Sequence, residues 1–146
     1  MVLLTAAFVF SAVSCSQPAA DDSETSASIY GTWTASTDSY AIASSTVTYN
    51  DGGYGYGWTG SLASVSATDS SSGYIYVKYT SVGDSLSPTF VGTYTAVSYK
   101  SLGTSSVQMS NAYKSGGSDH ESTLAGAVAE FTIANGYYAY YGAYSK

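Results

Sequence analysis

The chain has 146 residues, which is the size of a single domain and leaves no room for a second catalytic unit. Charged residues make up 10% of it: four lysines oppose ten acidic residues, arginine is absent, and the formal net charge is −6. This balance excludes nucleic acid and anionic lipid surfaces as electrostatic partners, because both need clustered Lys and Arg. The 16 tyrosines, together with Thr and Val, favour strands over helical bundles, and a hydrophobic content of 45% is enough to build a core.

An apolar segment, MVLLTAAFVFSAV, occupies residues 1–13. It is too short to span a bilayer, which takes ~20 residues, but it has the length of the apolar part of a signal peptide. Residues 2–13 contain no Lys or Arg. Since signal peptides begin with a few basic residues, we expect the natural start to lie further upstream. The segment predicts an exported protein.

Cys15, the single cysteine of the chain, comes directly after this segment. The residues before it, Ala12, Val13 and Ser14, are small, and this arrangement resembles the lipobox of bacterial lipoproteins. The resemblance implies cleavage before Cys15, lipid attached to that cysteine, and an anchor in a membrane of the bacterial cell envelope, on the periplasmic face or at the cell surface. The alternative is a plain secretory signal with an incidental cysteine. A single thiol also excludes an intramolecular disulfide.

The segment after the cysteine, SQPAADDSETSAS at residues 16–28, contains no large apolar side chain. Such a composition cannot bury enough surface to fold and predicts a flexible tether. The sequence therefore predicts a signal peptide at 1–14, a lipidated cysteine and tether at 15–28, and one folded domain at 29–146.

That domain consists of short alternating segments separated by turn clusters, which is typical of an antiparallel all-β protein. We predict strands at residues 29–36, 39–43, 46–50, 54–66, 73–81, 89–99, 104–113 and 137–144. The alternation is clearest at 73–81, where one strand face carries Ile75, Val77 and Tyr79 and the other carries Tyr74, Tyr76 and Lys78.

One segment has the periodicity of a helix. Leu124, Val128 and Phe131 recur at i, i+4 and i+7 within residues 122–133, which predicts one apolar stripe packed against the sheet. Ser122 is the expected N-cap, and the Asn-Gly pair at 135–136 is a stop signal. Eight strands with one short helix before the last strand predict a small antiparallel eight-stranded barrel, closed or nearly so.

The first predicted strand carries Gly31, Thr32 and Trp33. This Gly-x-Trp, together with the strand count and the late helix, resembles the lipocalin-like (calycin) barrels. The resemblance implies that Trp33 plugs one end of the barrel and is not a ligand contact. In that family an Arg often lies across the Trp.

Four segments resemble small lipoproteins of unknown function from spirochaetes. They are GTW, GYIYVKYTS, VGTYTAVSYKSL and FTIANGYYAYY, and the likeness covers residues 29–146. It implies no particular activity.

The sequence contains no constellation that predicts catalysis, a cofactor or a metal. His120, the single histidine, lies between Asp119 and Glu121 in a Gly/Ser-rich loop, where adjacent side chains point in different directions and do not form a catalytic relay. The glycines at 52–57 lack the Lys and the following helix of a phosphate-binding loop. Neither metal-ligand spacing nor an acid–base pair is visible, so we expect no enzyme.

The aromatic residues form rows that predict the working surface. The three rows are Tyr54, Tyr56 and Trp58; Tyr74 and Tyr76, facing outward with Lys78; and Tyr138, Tyr140 and Tyr144 on the last strand. Rigid aromatic side chains give contact area at low entropic cost, so these rows predict a surface that binds a glycan or a protein. If the rows point inward, they line a cavity for a small amphipathic ligand. The structural alternative is that tyrosine fills half-buried positions.

Three hypotheses follow from these observations. The first is a membrane-anchored, non-catalytic binding or surface-interaction module, and the second is a lipocalin-like carrier with a ligand inside the barrel. The third is an enzyme, which no residue constellation favours. A transmembrane barrel is a further variant, against which short strands with Ser and Thr on both faces argue. An interior packed solid with side chains would exclude the carrier, whereas a connected internal cavity of several hundred Å³ with Tyr hydroxyls facing it would count against the surface module.

Overall fold

A computed structural model describes residues 26–146, so the predicted signal peptide, Cys15 and most of the tether lie outside the described residues. The described chain forms a closed barrel of eight antiparallel strands in which each strand pairs with its neighbours in sequence and β1 pairs with β8. The elements are β1 Gly31–Thr34, β2 Ser39–Ile42, β3 Thr46–Asn50, β4 Trp58–Ala67, β5 Gly73–Val82, a 3₁₀ turn Pro88–Phe90, β6 Tyr94–Lys100, β7 Ser106–Asn111, α1 Leu124–Glu130 and β8 Gly142–Ser145.

The predicted fold class is therefore confirmed: the protein is mainly sheet, the barrel is closed, and one short helix precedes the last strand. Three predicted strands are much too long. The strand predicted at 89–99 begins at Tyr94, because Pro88–Phe90 form a 3₁₀ turn that Ser87 caps. The segment 54–57 is a loop because Gly52, Gly53 and Gly55 have positive φ and turn the chain away from the sheet. The segment 137–141 is not a strand either, because Tyr138 adopts a left-handed φ of 66°.

Alternation along β5 separates two apolar cores. Ile75, Val77 and Tyr79 point into the barrel, where they belong to the central core, whereas Tyr76 points outward into a second core. This is the division of faces that the sequence predicts for the strand. The protein therefore has a packed barrel interior and a separate apolar layer outside one wall.

The outer layer consists of α1 and the chain that follows it. Ala127 and Phe131 are fully buried against the outer side of β5 and β6, where they meet Tyr76. The predicted stripe is wrong at Val128, which is 46% exposed, because the helix turns its Ala127 side towards the sheet. The predicted N-cap is also one residue off: the hydroxyl of Thr123 accepts the bond from the Gly126 N–H at 3.0 Å.

Trp33 lies where the chain begins the barrel. It is fully buried, and its Nε1 donates to the carbonyl of Ile29 at 2.7 Å. The ammonium group of Lys146 lies 4.3 Å from the ring centroid of Trp33 and donates to the carbonyl of Ser28 at 3.0 Å. A cation thus covers this tryptophan, and both the start and the end of the domain lie at this end of the barrel, which we call the closed end.

Candidate functional site

Two adjoining cavities open at the opposite end of the barrel, which we call the mouth. This end carries the connections β1–β2, β3–β4, β5–β6 and β7–β8, since successive antiparallel strands turn alternately at the two ends. The larger cavity has a volume of about 770 Å³ and a single charged side chain in its lining, that of Asp38. Half of its lining residues are tyrosines: Tyr40, Tyr49, Tyr113, Tyr140, Tyr141 and Tyr144.

The second cavity is smaller and more apolar in character. Its volume is about 410 Å³, and its lining includes Trp58, Tyr79, Leu86 and Phe90 together with the carboxylate of Asp119. Three residues line both cavities, so the two spaces are neighbours: these are Tyr49, Asn111 and Tyr113. The two cavities share an aromatic wall, and their volumes suit a small organic ligand.

The wall is a continuous row of rings, which we call the aromatic arc. Cross-strand pairing produces it, because Tyr40 lies opposite Tyr49, and Tyr49 lies opposite Trp58, in neighbouring strands. The distances between successive ring centroids are 5.2 Å for Tyr144 and Tyr40, 4.7 Å for Tyr40 and Tyr49, 6.0 Å for Tyr49 and Trp58, 5.7 Å for Trp58 and Tyr79, and 6.1 Å for Tyr79 and Phe90. All lie in the range in which aromatic pairs attract.

Asp38 is the polar centre of the larger cavity. It lies in the β1–β2 turn, and its Oδ2 accepts hydrogen bonds from the hydroxyls of Tyr144 at 2.5 Å and Tyr49 at 3.4 Å. Burial, followed by the nearby carboxylate, raises the pKa of Tyr49 to about 12 and holds the pKa of Tyr144 well above its ordinary value. Both phenols are therefore protonated donors at neutral pH. Tyr49 is half-buried in the lining of the larger cavity, and Tyr144 is buried there.

The β3–β4 loop beside the mouth is fixed by Asp51. This buried carboxylate accepts bonds from the backbone N–H groups of Gly53 at 3.1 Å and of Tyr56. Although burial opposes ionisation, these donors lower the pKa of Asp51 below its ordinary value. The carboxylate thereby holds in place a loop whose Tyr54 and Tyr56 project outward.

The eight aromatic residues predicted as one binding surface are divided among three environments. Tyr54, Tyr56 and Tyr140 are 72%, 56% and 74% exposed. Tyr56 lines the second cavity and Tyr140 the larger one, whereas Tyr54 lines a further cavity of about 350 Å³ beside Asp38 and Asp51. Trp58 and Tyr144 are buried in the aromatic arc. Tyr74, Tyr76 and Tyr138 belong to the outer layer beside α1, where Tyr76 and Tyr138 are buried and Tyr74 is half-buried.

Two of the three predicted aromatic rows do not lie on one strand face, because the strands that carry them are shorter than predicted. Trp58 is the first residue of β4, so Tyr54 and Tyr56 do not share a strand face with it, and of the last row Tyr144 alone lies in β8. The face of Tyr74 and Tyr76 does look away from the barrel interior, as predicted, but the outer layer covers it. The aromatic residues therefore do not form a single exposed sheet surface.

The residues that define the larger cavity, above all Asp38, Tyr40 and Tyr49, are not among the site residues predicted from the sequence. Tyr40 and Tyr49 lie on correctly located strands, β2 and β3, and a two-residue period places each on the inward face with Ile42 and Val47. That signal could have found the two tyrosines. Asp38 carried no signal of its own, since an acid in a turn is ordinarily chosen for local hydrogen bonding.

The loop with His120 is structural in its contacts. The imidazole stacks on Phe90 with ring centroids 4.3 Å apart, and its Nδ1 is buried without a hydrogen-bond partner. The neighbouring Glu121 pairs with Tyr94 through its backbone. These contacts attach the long β7–β8 connection to the mouth next to the second cavity.

Metal-ligand clusters, membrane-spanning helices and similar proteins were also considered. Within residues 26–146, no three His, Cys, Asp or Glu side chains come together in a way that could hold a metal ion, and no helix has the length and apolarity needed to cross a membrane. Comparison of the chain with protein-family models, with curated proteins and with solved structures returned no match. The geometry of the mouth is therefore the basis for a functional proposal.

Proposed function

We propose that this protein is a non-catalytic binding protein that holds a small amphipathic ligand at the mouth of its barrel. The observation that supports the proposal is the pair of adjoining cavities, about 770 and 410 Å³, lined by the aromatic arc. Small-molecule sites are concave, largely apolar and aromatic, with a few placed polar groups, and they occur in the mouths of β-barrels. Asp38 and the phenols beside it are such polar groups.

The position of the ligand differs from both hypotheses drawn from the sequence. Fully buried side chains, among them Val47, Ile75, Val77 and Val97, fill the middle of the barrel. A ligand held deep inside would have to displace this core, whereas the mouth offers space without repacking. A binding surface spread along the strands is also disfavoured, because half of its proposed aromatic residues are buried.

The proposal that the protein is not an enzyme rests on the character of the lining groups. Among residues 26–146, His120 does not line the two cavities, and the phenols that face Asp38 are held protonated. The described lining residues include no Ser, Thr or Cys that is hydrogen-bonded to a histidine, the pairing that activates a nucleophile for acyl transfer.

Anchoring through lipid on Cys15 is part of the proposal, and the sequence supports it through the apolar segment 1–13. The described domain begins at the closed end, so the tether joins the barrel at the end opposite the mouth. Mass spectrometry of protein expressed in a lipoprotein-processing bacterium should detect lipid on Cys15. A Cys15→Ser variant should lose its membrane fraction, and a variant that still fractionates with membranes would refute this anchor.

The binding role is tested by titrating the purified protein with N-phenyl-1-naphthylamine, a neutral amphipathic fluorophore. We expect saturable one-to-one binding with a Kd on the order of micromolar. Ala139, an exposed residue that lines the larger cavity, and Ala143, an exposed residue on β8, form a matched pair. Ala139→Trp should fill the cavity and abolish binding, whereas Ala143→Trp should leave it unchanged. Equal binding by both variants, or none by the original protein, contradicts the proposal.

A further inference from the structure

Each of the four lysines of the chain places its ammonium group over an aromatic ring. The distances from Nζ to the ring centroid are 5.6 Å for Lys78 and Tyr94, 3.8 Å for Lys100 and Tyr141, 5.6 Å for Lys114 and Tyr137, and 4.3 Å for Lys146 and Trp33. Because the chain has no arginine, these four residues are all of its basic side chains apart from the single histidine.

None of these lysines lines either cavity at the mouth. The charged side chains that do line the cavities are the carboxylates Asp38 and Asp119. The two cavities thus combine many aromatic rings with negative charge and have no lysine in their described lining, while the four lysines cover rings elsewhere. The net charge of −6 adds a long-range attraction for cations and a repulsion for anions.

The side-chain partners of Asp38 are neutral hydroxyl groups, and no cationic side chain of the described residues bonds to its carboxylate. Its Oδ2 receives two phenol hydroxyls, from Tyr49 and Tyr144, rather than an ammonium group. Neutral donors stabilise a carboxylate without removing its negative charge. A cation placed in the larger cavity would therefore meet this charge and the faces of the surrounding tyrosines.

We propose, resting on the function proposed above, that the ligand is an amphipathic cation with an alkylated ammonium group. The ammonium group lies in the larger cavity, near Asp38 and against the ring of Tyr49, and the apolar part extends along Trp58 and Phe90 in the second cavity. Alkylation fits the site because most of its lining is aromatic, and ring faces attract a cation without accepting hydrogen bonds. Asp38 is the single carboxylate among the described residues that line the larger cavity, and it adds a charge that a quaternary ammonium group meets without donating a hydrogen bond.

The proposal is tested by isothermal titration of the purified protein with three ligands of equal chain length. These are decyltrimethylammonium, decanol and decyl sulfate, each below its micelle-forming concentration. We expect the cation to bind about tenfold more tightly than the alcohol and the sulfate to bind more weakly than the alcohol. A cation that binds less than about twofold more tightly than the alcohol overturns the inference.

Two charge-matched variants locate the effect. Asp38→Asn removes the charge at the mouth, and Asp69→Asn removes the same charge from the exposed turn between β4 and β5, at the closed end. The first should weaken cation binding about tenfold and leave decanol binding unchanged, whereas the second should leave the ratio of the two affinities unchanged. A cation preference that survives Asp38→Asn in full would overturn the assignment of Asp38.

The outcomes separate this inference from the proposed function. If the three ligands bind with equal affinity, the preference for a cation is wrong and the binding role stands. If neither these ligands nor N-phenyl-1-naphthylamine bind, the binding role fails, and the inference fails with it. If Asp38→Asn does not fold, the preference of the unmodified protein for the cation over the alcohol decides alone.

Discussion

Individual tyrosines do different work in this barrel according to the side of the strand on which they lie. Tyr144 points inward and donates to Asp38, whereas Tyr76 points outward and packs under α1. Tyr140 is exposed at the mouth. Tyrosine suits all three environments, because its ring packs against apolar neighbours while its hydroxyl bonds to a polar group or to water.

The hydrogen bond between Tyr144 and Asp38 should contribute measurably to stability. Tyr144→Phe removes the donor, and we expect the free energy of unfolding to fall by about 1–2 kcal/mol, since the bond is to a charged, half-buried acceptor. Tyr113→Phe, which changes an exposed side chain, is the control and should change stability by less than about 0.5 kcal/mol. Urea denaturation measures both, and equal effects would contradict the bond.

The buried phenols should also make the fold sensitive to alkali. Burial raises the pKa of Tyr79 and of Tyr49 to about 12, while an unfolded tyrosine ionises near pH 10. Stability is therefore complete below about pH 10 and falls as the pH rises towards 12, because the unfolded state releases protons that the folded state retains.

Urea denaturation at neutral pH and at about pH 11 checks this dependence. Tyr79→Phe removes one of the titrating groups, so this variant should lose less stability between the two pH values than the original protein. A free energy of unfolding that stays constant to about pH 11 would show that these phenols are not buried as described.

Among the secondary-structure elements, α1 has two candidate N-cap residues, Ser122 and Thr123. The structure gives the cap to Thr123, whose hydroxyl accepts the Gly126 N–H at 3.0 Å, whereas the sequence pattern favours Ser122. We expect Thr123→Ala to lower the free energy of unfolding by about 1 kcal/mol and Ser122→Ala to have almost no effect. Thermal and urea denaturation of the two variants decide the question, and the reverse order would contradict the structure.

Strands with regular alternation and clear turns could be predicted from the sequence. β3 was predicted at its observed bounds, and β5 was predicted to within one residue with the correct inward face. The failures occur where the backbone departs from the extended form for reasons outside the pattern. Tyr138 takes a left-handed conformation because its ring is buried in the outer layer and its hydroxyl donates to the Phe131 carbonyl at 3.2 Å, a contact that no local sequence pattern contains.

The candidate site was less predictable than the fold, for a physical reason. Each strand contributes one or two residues to the mouth, so the site exists after every strand has paired in register. The inward positions of Tyr40 and Tyr49 follow from alternation alone, but the meeting of Asp38 with Tyr144 joins residues from the two ends of the domain. Closure of the barrel between β1 and β8 is what produces that meeting.

For the whole molecule, closure is uneven around the barrel. β4 and β5 share nine residue pairs from Trp58 to Ala67, whereas β1 and β8 share the single pair Thr34 and Ser145. Long ladders open rarely and short ones open often. The seam between the first and last strands is therefore the weakest part of the wall.

Hydrogen exchange followed by mass spectrometry should show this difference. Peptides that cover β1 should exchange faster than peptides that cover β4 and β5, because β1 has four pairs with β2 and one with β8. The outer layer over β5 and β6 should add to the protection of that wall. Uniform protection of all eight strands would contradict an uneven closure.

The most direct test of a ligand at the mouth uses the two tryptophans of the chain. Trp58 lines the second cavity, whereas Trp33 lies in the packed core towards the closed end. The protein labelled with 5-fluorotryptophan should give two fluorine resonances, which the Trp58→Phe variant assigns. Saturation with N-phenyl-1-naphthylamine should shift the Trp58 resonance and leave that of Trp33 in place. A shift confined to Trp33, or no shift of either resonance, would contradict binding at the mouth.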